Sequence, residues 1–99
     1  MDSPLSAVLA VLHSDALLER LASVEHERWS HWQRYLHEKC IEREDGSLII
    51  PAEYVRRWSA QLNTFYGDLS EEEKESDRDQ VRRYLPEIEL ALKKAHGPN

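Results

Sequence analysis

A single cysteine, Cys40, leaves nothing to form an internal disulfide with, and three glycines, none in a phosphate-loop spacing, exclude the usual nucleotide-binding fingerprints. No apolar run approaches the ~20 residues that span a bilayer. The apolar start, Pro4 to Leu12, follows Asp2, where a secretion signal would carry positive charge. Basic residues are scarce too: 13 Lys and Arg against 19 Asp and Glu give a net charge of −6, the wrong sign for tracking the phosphates of long DNA or RNA. These shortages predict a cytoplasmic protein that engages neither membrane nor long nucleic acid.

What remains is enough for one small domain over residues 1–99, with a thin core. Leu, Ile, Val and Phe number 23, and three Trp and four Tyr add bulk, which lifts the chain just above the apolar content at which highly charged sequences stay disordered. At this length folding buries only about two-thirds of the extended chain's surface, so a large cleft is not expected.

Helical spacing dominates the pattern. Ser3-Pro4 caps a short first helix with Leu5, Val8, Leu9 and Leu12 on one face. Ser14-Asp15 opens a long second helix in which Leu18, Leu21, Ala22, Trp29, Trp32, Leu36 and Cys40 recur. Asp45-Gly46 is a turn dipeptide, so Ile41 to Pro51 reads as a short hairpin or an ordered loop. Pro51 opens a third helix through Tyr54, Val55, Trp58, Leu62 and Phe65, stopped by Gly67-Asp68. Ser70 with Glu73 forms a capping box for a fourth. Pro86 either kinks that helix or starts a last segment over residues 86–99, ending near Gly97. The expected fold is all-α, four to five helices with a short hairpin or loop insertion.

Two charge placements stand out. At about 100° per residue, Leu18, Ala22, Glu25, Trp29, Trp32 and Leu36 form one stripe, with Glu25 in its middle and His26 at its border. In the fourth helix, Lys74, Asp77, Arg78, Val81 and Leu85 share a side. A bare carboxylate on a core face costs several kcal/mol, so Glu25 is expected to meet Lys74 or Arg78 across the helix interface, beside Trp29 and Trp32. Such a constellation is either an ion-pair network fixing helix register or a small pocket. A pocket of indole faces, carboxylate and cation suits a flat ligand such as a nucleobase.

The stretches Leu21-Ala22-Ser23-Val24-Glu25-His26-Glu27-Arg28-Trp29 and Leu69-Ser70-Glu71-Glu72-Glu73-Lys74-Glu75-Ser76-Asp77-Arg78-Asp79-Gln80-Val81-Arg82 resemble the two signature stretches of the RyR domain. This is the small module repeated in ryanodine receptors and found alone or fused in bacteria and phages. The likeness spans residues 18 to 85. It implies a compact helical module with a short hairpin, and ligand binding that includes adenine nucleotides, with Trp29 at the position that helps line the site. The family's Gly-Trp-x-Tyr-Gly stretch has no counterpart here; Trp32, Tyr35 and residues 42–50 stand in its place.

Other chemistry is thin. His26 and His37 align on the long helix but stand about 16 Å apart, which makes no zinc site. His37 and Cys40 at i, i+3 read as packing, and no acid, base and nucleophile fall together. Arg56-Arg57 and Arg82-Arg83 read as solvated helix ends. The sequence therefore predicts a non-enzymatic module without metal or cofactor, binding a nucleotide-like small molecule through Glu25, His26, Trp29, Trp32, Lys74, Asp77 and Arg78. A phage protein sequestering a nucleotide immune signal would fit, and the first helix, residues 1–13, offers a homodimer contact. The rival is an acidic helical adaptor that binds protein and no small molecule.

Overall fold

The computed structural model describes residues 3–96. The protein is all-α with one small hairpin: α1 (Pro4–Leu12), α2 (Asp15–Lys39), β1 (Ile41–Glu42), β2 (Leu48–Ile49), α3 (Ala52–Leu62), a 3-10 turn (Tyr66–Asp68) and α4 (Glu71–His96).

Local chemistry explains most boundaries. Ser3 Oγ accepts from the Ser6 amide, and Pro4 starts α1 with its φ already helical. Ser14 ends one helix and begins the next: its hydroxyl donates to the Val11 carbonyl at 2.7 Å and accepts from the Leu17 amide at 3.2 Å. Between the strands, which pair antiparallel with Ile41 opposite Ile49 and Glu42 opposite Leu48, the Gly46 amide donates to the Arg43 carbonyl. Gly46 lies at φ +88°, which L side chains rarely adopt. Asp45 Oδ1 accepts from both the amide and the hydroxyl of Ser47, and the hydroxyl first, then the amide, hold this carboxylate below its usual range. The capping box of α4 is reciprocal, Ser70 Oγ accepting from the Glu73 amide while Glu73 Oε1 accepts from the Ser70 hydroxyl and amide.

Two boundaries depart from the sequence reading. Helix α3 stops at Leu62 rather than running through Phe65. The Asn63 side chain donates to the Ser59 carbonyl at 2.8 Å and the Thr64 hydroxyl to the Ala60 carbonyl at 2.6 Å, so side chains satisfy carbonyls that further helical turns would use. Helix α4 has no break at Pro86: residues 86–96, expected either to follow a kink or to form a separate last segment, continue one helix. Pro86 has no amide hydrogen to donate within the helix, and it lies on an exposed side of α4. Gly97, expected to end the helix, lies outside the described residues.

The chain divides into two compact units, residues 1–28 with 77–99, and residues 29–76. In the first, Leu17 is the one buried apolar side chain among the described residues. It heads a covered face of α2 with Arg20, Leu21, Val24 and Arg28, while α4 covers Gln80, Tyr84, Glu87, Ile88, Ala91 and Leu92. Arg20 Nη1 donates to Glu87 Oε2 at 3.1 Å, and the Tyr84 hydroxyl to Glu25 Oε2. Low numbers on α2 meet high numbers on α4, so the two segments run antiparallel.

The second unit holds the hairpin, α3 and an aromatic cluster. Trp32 stacks on Tyr35 with ring centroids 5.5 Å apart and meets Trp58 edge-on at 5.4 Å, and Trp58 packs on Tyr54 at 5.3 Å. Such pairs stabilise by about 0.5–1.5 kcal/mol each beyond their area.

Since Pro86 costs α4 one backbone hydrogen bond, Pro86→Ala is expected to stabilise the protein by about 3 kcal/mol. Urea unfolding followed by circular dichroism checks this; an unchanged or lower midpoint would contradict an uninterrupted helix.

Candidate binding surfaces

The seven residues singled out in the sequence fall in both units: Glu25, His26, Asp77 and Arg78 in the first, Trp29, Trp32 and Lys74 in the second.

In the first unit Glu25 has different partners from those expected. Its carboxylate is held in a fork by Arg28 of its own helix, Nε donating to Oε2 at 3.0 Å and Nη2 to Oε1, and it accepts from the Tyr84 hydroxyl. The cation is Arg28, one helical turn on, and α4 contributes Tyr84 through a neutral donor. Three donors favour the ionised acid: hydrogen bonds from Arg28 first, then from Tyr84, pull its pKa from 4.5 to about 2. Arg28 is raised by the same contact, and the Tyr84 hydroxyl is pushed up chiefly by its bond to Glu25.

The expected burial is also corrected. Among the described residues no polar or charged side chain is buried. Glu25, His26 and Asp77 are exposed and Arg78 is half-buried. Of the stripe Leu18, Ala22, Glu25, Trp29, Trp32 and Leu36, all but the half-buried Leu36 are exposed, and in the first unit the covered face is Leu17, Leu21 and Val24. Of the α4 residues expected to face inward, Asp77, Val81 and Leu85 are exposed while Lys74 and Arg78 are half-buried, as are Gln80, Tyr84 and Glu87. Either stripe could have served as the packed face of α2; the ties from Arg20 to Glu87 and Tyr84 to Glu25 select the one that turns inward.

In the second unit Trp32 is engaged by Tyr35 and Trp58, whereas Trp29 is 53% exposed. Lys74 is half-buried, its ammonium 3.5 Å from Glu71 and 5.9 Å from the centroid of the Tyr66 ring. The sequence reading missed Arg28 and Tyr84. The i, i+3 spacing of Glu25 and Arg28 is a readable signal for the first; Tyr84 depends on a pairing 59 residues long, for which no local signal exists.

The apolar surface is extensive. At the end of α3, Leu62 is 83% and Phe65 is 85% exposed; Val55, two turns before Leu62 on the same stripe, and Tyr66, next to Phe65 in the chain, are exposed as well. In the first unit α1 carries no charged residue and has none of its nine residues buried. Among the described residues no three His, Cys, Asp or Glu side chains are placed to hold a metal ion, and no helix is long and apolar enough to cross a membrane.

Comparison with protein-family models, with curated proteins and with solved structures finds no match for this chain.

Because the folded pKa of Glu25 lies below its ordinary 4.5, the stability it contributes is present above about pH 4.5 and is lost as pH falls toward 2. Glu25→Gln is expected to be less stable than the parent at pH 7, with the gap closing through this window. Thermal melts between pH 7 and 2 check this; a gap independent of pH would contradict the fork.

Proposed function

We propose that the protein is a non-enzymatic, acidic helical module that works in the cytoplasm by binding another protein through the apolar end of α3. The observation that carries this reading is the exposure of Leu62 and Phe65 together. A scattered exposed leucine means little, but two large apolar side chains over four-fifths exposed within four residues, flanked by Val55 and Tyr66, form a ready hot spot. Burying them against a partner adds roughly 1.5–3 kcal/mol each. The net charge of −6 favours a partner whose apolar pocket has a basic rim, since opposite potentials steer encounter.

A second reading follows the RyR-like stretches: the module holds a nucleotide-type ligand, a role that would let a phage protein sequester an immune signal. One observation favours it, the exposure of Trp29, at the position the resemblance assigns to ligand stacking, with His26 and the Arg28–Glu25 fork on the same helix.

The readings separate experimentally. Leu62→Ser with Phe65→Ser is expected to leave the melting temperature unchanged within about 2 °C, since neither side chain is packed, while abolishing capture of a partner by the immobilised protein. Calorimetry with adenine nucleotides, cyclic dinucleotides and ADP-ribose is expected to be silent. Heat that disappears in Trp29→Ala, with partner capture unaffected by the double serine variant, would overturn the protein-binding reading in favour of the nucleotide.

A further inference from the structure

The hairpin turn carries a covalent weak point. Asp45 is the one aspartate of the chain that precedes a glycine. In such a pair the glycine amide nitrogen can attack the aspartate Cγ. A C–N bond closes a succinimide ring, and the acid's hydroxyl leaves with the amide hydrogen as water. Water then reopens the ring: addition at Cγ restores aspartate, whereas addition at the backbone carbonyl leaves the chain running through Cβ and Cγ. The second product is an isoaspartyl link of unchanged mass with one more backbone atom. Glycine favours closure because no Cβ obstructs the attack. Asp45 and Gly46 are both exposed, and nothing lies within 4 Å of where a Cβ on Gly46 would stand.

We infer that Asp45–Gly46 is a site of spontaneous isoaspartyl formation, held back in the folded chain by Ser47 and by the Arg43 carbonyl. Both reacting groups are engaged. The Gly46 amide donates to the Arg43 carbonyl at 3.0 Å, so the nucleophile must first give up a backbone bond. The carboxylate accepts the Ser47 hydroxyl at 2.6 Å and the Ser47 amide at 2.9 Å, both on Oδ1. These donors favour the ionised acid, whereas closure needs the neutral acid, whose hydroxyl can leave.

The lock is as strong as the hairpin that carries it. Each strand has two residues, all exposed, and a two-stranded ribbon of this size opens at far lower cost than the chain unfolds. Closure of the ring therefore proceeds through the opened hairpin. The product no longer fits the turn. The Arg43 amide donates to the Ser47 carbonyl at 2.8 Å, and the added backbone atom falls between these two residues. The Cγ carbonyl has also become main chain and leaves the Ser47 hydroxyl without its carboxylate. Isomerisation thus unlatches residues 41–50 as the protein ages.

Peptide mapping of the whole protein tests the inference, independently of the end of α3. Trypsin releases residues 44–56, bounded by Arg43 and Arg56. The isoaspartyl form is read as a second peak of equal mass that resists a protease cutting before aspartate. After weeks in mildly acidic buffer the parent is expected to accumulate this peak, about 10- to 100-fold more slowly than the synthetic peptide of residues 44–56, the range that bonds to a charged group carry. Ser47→Ala raises the rate in the protein about 10-fold, as the loss of one such bond requires. Ser47→Thr, which keeps a hydroxyl, retains the parent's rate, and Asp45→Glu, whose closure needs a larger ring, gives no second peak. Circular dichroism of each variant shows the helices unchanged. A parent that converts as fast as the peptide, a parent that forms no second peak while the peptide converts fully, or a Ser47→Ala rate equal to the parent's would overturn the inference.

Discussion

Two polar ties decide which sides of α2 and α4 meet. Arg20 bonds Glu87 and Tyr84 bonds Glu25, and both set the helices with Leu17, Leu21 and Val24 toward Gln80, Tyr84 and Glu87. Rotating either helix by one position would break both ties, since each long side chain would swing through about 100°. The consequence lies on the other stripe. Leu18, Ala22, Val81 and Leu85, chemically as suited to a core as the residues that took it, stay in solvent. The ties cost little to keep, because their partners remain partly hydrated and pay no full desolvation penalty. They specify register more than they stabilise.

The second unit solves the same shortage of apolar residues differently. Its aromatic cluster, Trp32, Tyr35, Trp58 and Tyr54, spans α2 and α3 with rings in stacked, edge-on and tilted contact, so a few bulky side chains do what many aliphatic ones do in a larger core. That arrangement leaves Leu62 and Phe65 beyond the cluster, where the side chains of Asn63 and Thr64 end the helix. Each unit thus leaves its own apolar surface uncovered, and each surface has a different physical origin.

Much of the fold is legible in the sequence because its signals are local. Ser3-Pro4, Ser14-Asp15, Asp45-Gly46 and the Ser70–Glu73 box act over two to four residues, and all four perform in the structure as their chemistry requires. The end of α3 was not legible, since Asn63 and Thr64 are as compatible with a helix as with the cap they make. At Pro86 the sequence leaves two outcomes open, since a proline can bend a helix or end it, and the helix continues. The candidate site was legible in part. Glu25 is expected from its stripe to be buried and paired across the helix interface; it is exposed, and the cation that holds it, Arg28, stands one turn away on the same helix. The covered side of α4 is legible only in part, at Lys74 and Arg78, because the ties that set it join residues 59 and 67 apart. Periodicity finds stripes; only long-range pairing says which stripe is covered.

Which sides of α2 and α4 meet rests on the two ties, so the contact between Tyr84 and Glu25 should register as coupling between them. The most direct measurement is a double-mutant cycle of Tyr84→Phe and Glu25→Gln, each variant unfolded in urea at pH 7. The expected result is non-additivity, the double variant being no less stable than the weaker of the two single variants. Two single losses that simply add would contradict the tie.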